Sequence, residues 1–536
     1  MFKSKFSSKL KNPRLILLVI FLLAFAFRYW LIADQHIYFW YDQARDAYLA
    51  QQIYLERDLK IQGPSASGTN DTIYHGVFYY YFIGFFYTVF AGDPFLVTII
   101  MALINSAAVF LLYFLINAIF KNKTMALLGA FLLALNFEHA QYSTWLSNPM
   151  MGLLPLLVFF LLIWKIFYQY QKSQSLYLFM ILGVSLGLIE QSAFYALYFI
   201  GVILVAVFYL TNQKKLAFYQ LFNLKQMAAF LLSFLATIFT MLLTQYKLFR
   251  VGIFSLETFF KAIGQSKELV DLTVLSDFLD FYLQKIIQTL APQMTLYALF
   301  IFLLTLLICL KHQPSQAVKY FFLSWALAPL WLFVIQFRDS PHMLMGMEYL
   351  ILLLFAFLLH TLFSQKVFFG RLLLICLLSM YVWTQIKALK LMRVQNTNIF
   401  TYQTGVTLAR ELELIEKTYA LAQGQPFSIS VWTAPYEYYI TWAYLYNWHG
   451  FKKYGYKPSY FGSSQLGKFG AEILTQKNSI EKLHFFIEEP EVLVLGDIYQ
   501  QFIKRQNDFS VVVDVNQFGG YKLEVRAASD PAQLTN

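Results

Sequence analysis

The sequence is short of charge and almost free of cysteine. Only 13% of its 536 residues are charged, whereas an ordinary soluble domain carries about 25%. The two cysteines, Cys309 and Cys376, both lie inside apolar stretches. This disfavours a disulfide framework, and both cysteines are predicted to be small buried hydrophobic residues.

Two motif types are also absent. The chain has no glycine-rich phosphate loop of the nucleotide-binding kind, which disfavours a soluble nucleotide-linked substrate. It has no His-Glu-x-x-His spacing either, so we predict no obligatory metal. A divalent site built from His75, His139 and His342 with nearby carboxylates stays open. The net charge of +11 would suggest nucleic acid in a soluble protein, but membrane topology explains it better here, and no nucleic-acid partner is expected.

Long apolar blocks take the place of the missing charge. Hydrophobic residues make up 59% of the chain, and blocks of about 20 apolar residues are what a membrane-spanning helix needs. We predict a polytopic α-helical membrane protein with about eleven transmembrane helices. These spans lie at roughly 15–33, 94–119, 125–140, 149–167, 176–193, 195–210, 227–244, 294–310, 319–336, 347–364 and 368–385.

Alternate loops between these spans share a strong positive bias. They are residues 1–14, 121–123, 165–175, 211–226, 311–319 and 365–371, and together they contain sixteen Lys and Arg but no Asp or Glu. Because basic loops stay in the cytoplasm, this side is predicted to be cytoplasmic. The N terminus is then inside, the C terminus is outside, and the chain is a multi-pass protein of the plasma (inner) membrane.

Three regions fall on the predicted outer side. They are the first outer loop (34–93), a loop at 245–293 with an amphipathic helical pattern at Val274–Ile287, and the tail. The tail alternates helical and strand periodicity, which predicts a C-terminal soluble α/β domain. Its predicted elements are a helix at 402–423 and strands at 427–432, 483–487, 509–515 and 521–525. We place the domain boundary between residues 393 and 394.

The first outer loop contains a concentration of polar and aromatic residues. Trp40-Tyr41-Asp42-Gln43-Ala44-Arg45-Asp46 begins a helical stretch just beyond the first span. On a helix, Asp42 and Asp46 share a face, and Arg45 is a neighbour of Asp42. One interpretation is structural: Asp42 caps the helix, and Asp46 pairs with Arg45. The other is catalytic, because transferring a sugar to a hydroxyl needs a base near the acceptor and a means of holding the departing phosphate.

This early acidic motif resembles the GT-C glycosyltransferases. The nearest group is the branch of protein mannosyltransferases and aminoarabinose transferases, with its bacterial relatives of the Rgt type. Further similar segments are Asp58–Pro64, Tyr74-His75-Gly76, Tyr142-Ser143 with Trp145 and Asn148-Pro149, and Lys452–Pro458.

The resemblance implies a GT-C type fold and a polyprenyl-phosphate-linked sugar as donor, with membrane lipids around it. Asp42 matches the position of the family's catalytic acidic residue and would be the general base in an inverting transfer to an acceptor hydroxyl. Many members have Asp-Glu at this place, whereas this chain has Asp42-Gln43. A paired carboxylate at 43 is therefore missing, and Asp46 is the candidate substitute. The acceptor, whether glycan, lipid or protein, stays open.

Basic residues near the predicted outer ends of spans are candidates for holding the lipid phosphate. Lys247 and Arg250 end one span, and Arg338 and His342 lie in the next outer turn. The family places basic residues in these regions. The alternative is that the long side chains only reach lipid headgroups.

A second set of residues is predicted to line the cavity for donor or acceptor. It comprises Tyr41, Arg45, His75, Glu138 and Glu190. Ionisable groups in or near spans are functional when they face a cavity. At shallow depth, however, they can simply be in contact with water.

Other classes of protein remain as alternatives. A transporter or flippase would be expected to show repeated halves and interrupted helices, and the sequence has no such symmetry. An O-antigen polymerase or ligase would rely on arginines in outer loops rather than on an early aspartate. An Asp42→Asn change would leave a non-catalytic scaffold unaffected. In an enzyme of this kind it would abolish transfer while the protein still inserts and folds.

Overall fold

The computed structural model describes residues 12–529 except 67–71, 172–173, 194–198, 216, 254, 256–271, 313, 331–340, 366, 437 and 493–495. Helices dominate the first three quarters of the chain. In chain order they are α1 (Pro13–Ile32), α2 (Tyr41–Leu55), α3 (Phe78–Val89), α4 (Pro94–Ser106), α5 (Ala108–Phe120), α6 (Lys123–Ala134), α7 (Phe137–Thr144), α8 (Leu153–Ile163), α9 (Leu176–Ser192), α10 (Phe199–Lys214), α11 (Phe218–Leu221), α12 (Leu224–Arg250), α13 (Leu272–Leu290), α14 (Thr295–His312), α15 (Gln316–Leu327), α16 (Met347–Ser364) and α17 (Phe368–Gln395). Short 3-10 helices precede α8 (Asn148–Gly152) and α16 (Pro341–Leu344), and a π-helix follows α8 (Trp164–Tyr168).

The chain is a multi-pass α-helical membrane protein. Within the described residues, seven helical segments are long and apolar enough to cross a bilayer, which needs about 20 residues. They are Pro13–Ile32, Pro94–Phe120, Asn148–Tyr168, Leu224–Arg250, Thr295–His312, Met347–Ser364 and Phe368–Gln395. The remaining predicted spans coincide with shorter helices, α6, α9, α10 and α15. The total of eleven therefore stays a prediction.

One of the shorter predicted spans packs closely against a neighbouring helix. Helix α9 lies along α12, with Gly183 and Gly187 facing that helix. A Cβ at Gly183 would come within 2.3 Å of the Phe230 carbonyl oxygen, and a Cβ at Gly187 within 2.6 Å of Thr237 Cβ. Small residues four apart let two helix backbones approach closely, which is how helices associate in a bilayer.

Two compact units divide the chain. The first, here called the helical unit, comprises Met1–Leu31, Leu59–Tyr79 and Ile99–Lys390. The second, here called the mixed unit, comprises Ile32–Asp58, Tyr80–Thr98 and Leu391–Asn536. The mixed unit thus includes α2 and most of α3 together with the tail. The sequence-based boundary at 393/394 stays a prediction.

A five-stranded sheet forms the centre of the tail. Its strands are β1 (Phe427–Trp432), β2 (Ser459–Tyr460), β3 (Leu483–Glu488), β4 (Ser510–Phe518) and β5 (Tyr521–Ala528). Their order is β2-β1-β3-β5-β4, with β1 parallel to β2 and β3, and β5 antiparallel to β3 and β4. The helices around it are α18 (Leu408–Ala422), α19 (Ile440–Leu445), a π-helix (Tyr446–Gly450), α20 (Phe451–Tyr454) and α21 (Gly496–Phe509).

Local chemistry sets where several of these elements begin. Helix α18 starts at Leu408, not at the predicted residue 402, because the Thr407 side chain accepts a hydrogen bond from the Arg410 N–H at 3.4 Å and caps the helix there. Helix α21 packs Phe502 and Ile503 against Trp432 and Phe486 of the sheet. The prediction that both cysteines are buried is wrong, because Cys309 is only half-buried and Cys376 is exposed; both cysteines are free thiols.

Candidate active site

The first turn of α2, in the mixed unit, contains the predicted base. The Trp40 N–H donates to Gln43 Oε1 at 3.3 Å, and Gln43 is only 2% exposed. The residue at 43 is therefore part of the helix cap. Asp42 lies in the same turn, where the helix dipole favours a negative charge.

Arg45 joins the two carboxylates. Its Nη1 lies 2.8 Å from Asp42 Oδ1, and its Nη2 and Nε lie 2.7 and 2.9 Å from Asp46 Oδ1. The side chain of Asp46 is 2% exposed, that of Arg45 15% and that of Asp42 44%. One guanidinium is thus anchored on a buried aspartate and positions a half-exposed one. Of the structural interpretation made from sequence, the pair between Asp46 and Arg45 is present. The prediction that Asp42 caps the helix is wrong, because Trp40 is at the N-cap and the Gln43 side chain accepts from its N–H.

Asp46 is held from a second side by Tyr80, whose hydroxyl donates to Asp46 Oδ1 at 3.1 Å. Burial raises the pKa of Asp46 to about 6, although Arg45 opposes the rise. Burial and the Asp46 charge raise the pKa of Tyr80 well above its usual range, so Tyr80 stays a donor. Asp46 is buried among its partners and is suited to support Arg45 rather than to replace a missing carboxylate at 43.

Aromatic rings surround the exposed side of this turn. The Trp40 ring lies 5.3 Å from the Tyr402 ring, and the Tyr41 ring lies 5.2 Å from that of Tyr438. Tyr402 is 76% exposed. Burial raises the pKa of Tyr41 to about 12. The carboxylate therefore faces a partly open aromatic rim, which can pack against the apolar face of a sugar or a prenyl chain.

A second group of acids lies in the helical unit. Lys285 Nζ lies 2.6 Å from Glu138 Oε1 and 2.9 Å from Glu348 Oε2. Thr289 donates to Glu138 Oε2 at 2.7 Å, and the Gly346 N–H donates to Glu348 Oε2 at 2.8 Å. The three charged side chains are at most 4% exposed. Glu138 is thus buried in an ion-paired cluster, which we call the Lys285 cluster (Glu138, Lys285, Glu348).

Arg28 forms another buried polar cluster in the same unit. It is fully buried in α1, and its Nη2 lies 2.7 Å from His139 Nδ1. Ser143 accepts from Arg28 Nε at 3.2 Å, and His139 Nε2 lies 3.0 Å from the Tyr349 hydroxyl. His139, a candidate metal ligand from sequence, is occupied by these contacts.

His75 and His342 are brought into one neighbourhood within the helical unit. Burial, and secondarily repulsion by His342, lowers the pKa of His75 to about 3. Burial lowers that of His342 to about 4. Because both imidazoles are neutral at pH 7, they can give hydrogen bonds but no positive charge. The His342 ring also lies 6.4 Å from the Trp145 ring.

The remaining candidates are more scattered. Lys247 and Arg250 are exposed in the last turn of α12, and within the described residues neither has an ion-pair partner. Glu190 is 3% exposed near the end of α9, and its Oε1 accepts no hydrogen bond from the part of the chain that the structure describes. Arg338 lies outside the described residues. No three His, Cys, Asp or Glu residues in the described ranges are grouped so that they could hold a metal ion.

Sequence reasoning missed Arg28, Tyr80 and Lys285. Arg28 had a clear signal, since a charge inside an apolar block of 20 residues marks a functional or paired position. Lys285 had a weaker one, since it lies on the same face of an amphipathic helix as Phe278, seven residues away. Tyr80 had none, because its contact with Asp46 depends on how two separate helices pack.

No protein-family model and no curated protein sequence matches this chain significantly. Among solved structures, the chain is similar to ArnT from Cupriavidus metallidurans bound to undecaprenyl phosphate. The TM-score is 0.57 and the identity 10%, over 97% of this chain and 98% of that one. At this identity the likeness concerns the fold, and it confirms the GT-C type fold predicted from sequence.

Two further structures are of the archaeal oligosaccharyltransferase AglB from Archaeoglobus fulgidus. One is a complex with an inhibitory peptide and a dolichol-phosphate, with a TM-score of 0.45 and 12% identity over 88% of this chain and 69% of that one. The other is the apo form, with a TM-score of 0.45 and 12% identity over 81% of this chain and 63% of that one.

Proposed function

We propose that this protein is a membrane glycosyltransferase that moves a sugar from a polyprenyl-phosphate donor to an acceptor hydroxyl. Asp42 is the general base. The single observation that carries the proposal is the asymmetry of the α2 cluster: Asp42 is half exposed, while the Arg45 that positions it is locked by buried Asp46. A positioned and accessible carboxylate is what proton abstraction requires.

The chemistry is an in-line displacement at the anomeric carbon. The acceptor oxygen attacks that carbon, its proton passes to an Asp42 oxygen, and the bond from carbon to the phosphate oxygen breaks. The products are a glycoside of inverted configuration and a polyprenyl phosphate that keeps both electrons of the broken bond. Arg45 holds one Asp42 oxygen at 2.8 Å, which orients the carboxylate for the transfer.

The lipid nature of the donor is supported by the fold, since the similar ArnT structure was solved with undecaprenyl phosphate bound. The leaving phosphate needs positive charge in a partly dry site. Neutral His75 and His342 would supply hydrogen bonds only. We therefore propose that Lys247, Arg250 and Arg338, the basic residues predicted from sequence, supply this charge, and that His342 is a neutral hydrogen-bond donor.

The same proposal places the reaction on the extracytoplasmic face. The N terminus would be cytoplasmic and the C-terminal sheet domain outside, as the basic loops indicate. The acceptor is a glycan, a lipid or a protein hydroxyl. A cysteine introduced at position 41 should react with a membrane-impermeant thiol reagent in intact cells; labelling only after lysis would contradict this orientation.

The experiment is donor consumption by the purified full-length protein. A panel of polyprenyl-phosphate sugars is supplied with candidate acceptors, and release of polyprenyl phosphate is measured. Wild type should consume one donor, and Asp42→Asn should not. Asp34→Asn is the matched control, because Asp34 is an exposed acid of the same unit that pairs with Arg393 at 2.7 Å. Equal turnover by wild type and Asp42→Asn would overturn the mechanism.

A further inference from the structure

A cavity of about 380 Å³ opens on the C-terminal half of α2, within the mixed unit. It is formed by one face of that helix, the loop at Ala91 and the segments around Trp448 and Glu472. Its volume falls in the range of roughly 300–1,000 Å³ typical of small-molecule sites. Asp42 is not among its lining residues. Gln52 lies ten residues beyond Asp42, which is about 15 Å along the helix axis.

Hydrogen bonds fix the polar groups of this cavity in place. Gln51 Nε2 donates to the Tyr444 hydroxyl at 2.9 Å, and Tyr444 donates to the Gly92 carbonyl oxygen at 2.7 Å. In a second set of hydrogen bonds, Gln52 Nε2 donates to the Tyr48 hydroxyl at 2.6 Å, and Tyr48 donates to Glu472 Oε1. The donors and acceptors are therefore preorganised, which lowers the entropy that a ligand must lose on binding.

Trp448 supplies an apolar wall. It is half-buried, and its ring edge lies against Gly92. A Cβ at that glycine would come within 2.9 Å of Trp448 Cδ1, and Gly92 has a φ of +85°. Only glycine adopts this conformation readily and leaves room for the indole. The position of the ring beside the amides thus depends on the backbone at residue 92.

The combination of groups indicates the ligand. Amides, carboxylates and a tyrosine hydroxyl exchange hydrogen bonds with sugar hydroxyls, and an indole face packs on the C–H face of a sugar ring. Among the residues that line the cavity none is basic, while Glu56 and Glu472 are acidic. A phosphate or another anion is therefore unsuited to it.

We propose that this cavity binds a neutral saccharide, held between the Trp448 ring and the amides of Gln51 and Gln52. Since the cavity shares a helix with Asp42, the saccharide is the part of the acceptor remote from the reacting hydroxyl. The acceptor is then a glycan or carries one. This second step rests on the proposed function, whereas saccharide binding does not.

The test is direct binding of neutral di- to tetrasaccharides to the purified full-length protein. The protein is kept in a detergent without a sugar headgroup, because a glycoside detergent would compete. Wild type should bind at least one saccharide, and Trp448→Ala should weaken that binding about tenfold or more, as expected for removal of a central aromatic contact. Trp448→Phe should retain most of it, because a ring face remains.

Phe469→Ala is the matched control, since Phe469 is an exposed aromatic residue of the same unit outside the cavity. It should bind like wild type. If Trp448→Ala does not fold, Gln52→Ala replaces it, with an expected loss of about fivefold, close to the 1 kcal/mol of one hydrogen bond. Unchanged affinity in the cavity variant, or no binding of any saccharide by wild type, overturns the proposal.

Asp42→Asn separates this proposal from the proposed function. It should bind the saccharide with wild-type affinity while losing transfer. If Asp42→Asn retains transfer and Trp448→Ala loses binding, the general-base mechanism fails and the saccharide site stands. If Asp42→Asn loses transfer and Trp448→Ala binds like wild type, the saccharide site fails alone.

Discussion

Two clusters of this protein have the same arrangement of charges but differ in the exposure of one carboxylate. In the mixed unit, Arg45 joins Asp42 and Asp46; in the helical unit, Lys285 joins Glu138 and Glu348. Each is one cation between two carboxylates. The Lys285 cluster is buried throughout, whereas Asp42 leaves 44% of its side chain exposed. Composition alone would give both clusters the same role.

The difference shows how accessibility separates reactive from structural groups. A buried ion pair is expensive to assemble and more expensive to break, since removing one partner leaves an uncompensated charge. Such a cluster holds helices together. An exposed carboxylate attached to a buried anchor combines orientation with access, which is the requirement for a base.

Neutralising the exposed carboxylate should have the largest effect. Asp42→Asn should lower turnover by about 10²- to 10⁴-fold, the usual contribution of a general base, without changing thermal stability. Glu348→Gln, made in the buried cluster, should leave turnover largely intact. Donor consumption and thermal unfolding of both variants are measured side by side. The reverse pattern would move the catalytic role to the Lys285 cluster.

Breaking the buried cluster should produce the opposite phenotype, a loss of stability. Lys285→Met leaves Glu138 and Glu348 without their cation and should destabilise the fold by about 3–5 kcal/mol. The readout is the thermal unfolding midpoint at a fixed heating rate, with the monodisperse fraction after purification. Lys319→Met, at an exposed lysine of α15, is the control and should behave like wild type. Equal stability of the two variants would show that the Lys285 cluster does not stabilise the fold.

In the α2 cluster, the contact of Arg45 with the two carboxylates can be weakened without removing the positive charge. Arg45→Lys keeps a cation but cannot bridge two carboxylates with a planar fork. It should lower kcat about ten- to a hundredfold through misplacement of Asp42, with KM little changed. Arg410→Lys is the control, because Arg410 pairs with Glu413 at 2.8 Å on the surface of the same unit, where such pairs contribute little. A kcat unchanged by Arg45→Lys would contradict a positioning role.

Glu489 extends the comparison, because it is buried and has no ion-pair partner among the described residues. Burial raises the pKa of Glu489 to about 7, despite hydrogen bonds donated by Trp442, Ala434 and Gln403. The folded state therefore keeps a proton that the unfolded state loses above about pH 4.5. The stability from this group is complete below that pH and falls as pH rises to about 7, by about 3.5 kcal/mol at 1.4 kcal/mol per pKa unit.

Glu489→Gln mimics the protonated carboxyl and should remove this fall. The difference in unfolding midpoint between the variant and wild type should grow from pH 5 to pH 7 and then level off. Glu413→Gln, at an exposed position, should show no such trend. A difference independent of pH would mean that the folded state does not hold the proton.

Much of the architecture followed from local patterns. Each predicted span contains a helix, and the four predicted tail strands lie within a few residues of β1, β3, β4 and β5. Apolar blocks predict the helices, and alternating apolar and polar residues predict the strands, without reference to the rest of the chain. The pattern failed where packing decided: β2 has only two residues, and the short helices α19 and α20 lack a periodicity long enough to read.

The candidate site was predictable only in part, and for the same reason. The spacing of Asp42, Arg45 and Asp46 on one helix is fixed by 3.6 residues per turn, so the sequence alone implied their contact. It also predicted which loops are cytoplasmic, because the excess of Lys and Arg in alternate loops can be counted from the sequence. Three other sets of contacts join residues that lie 34 to 393 positions apart in the sequence. They are the contact of Tyr80 with Asp46, the ion pairs of Lys285 with Glu138 and Glu348, and the hydrogen bond from Gln51 to Tyr444. Only the tertiary fold decided which carboxylate is exposed and which is buried, because burial is set by what packs on a residue and not by its neighbours in sequence.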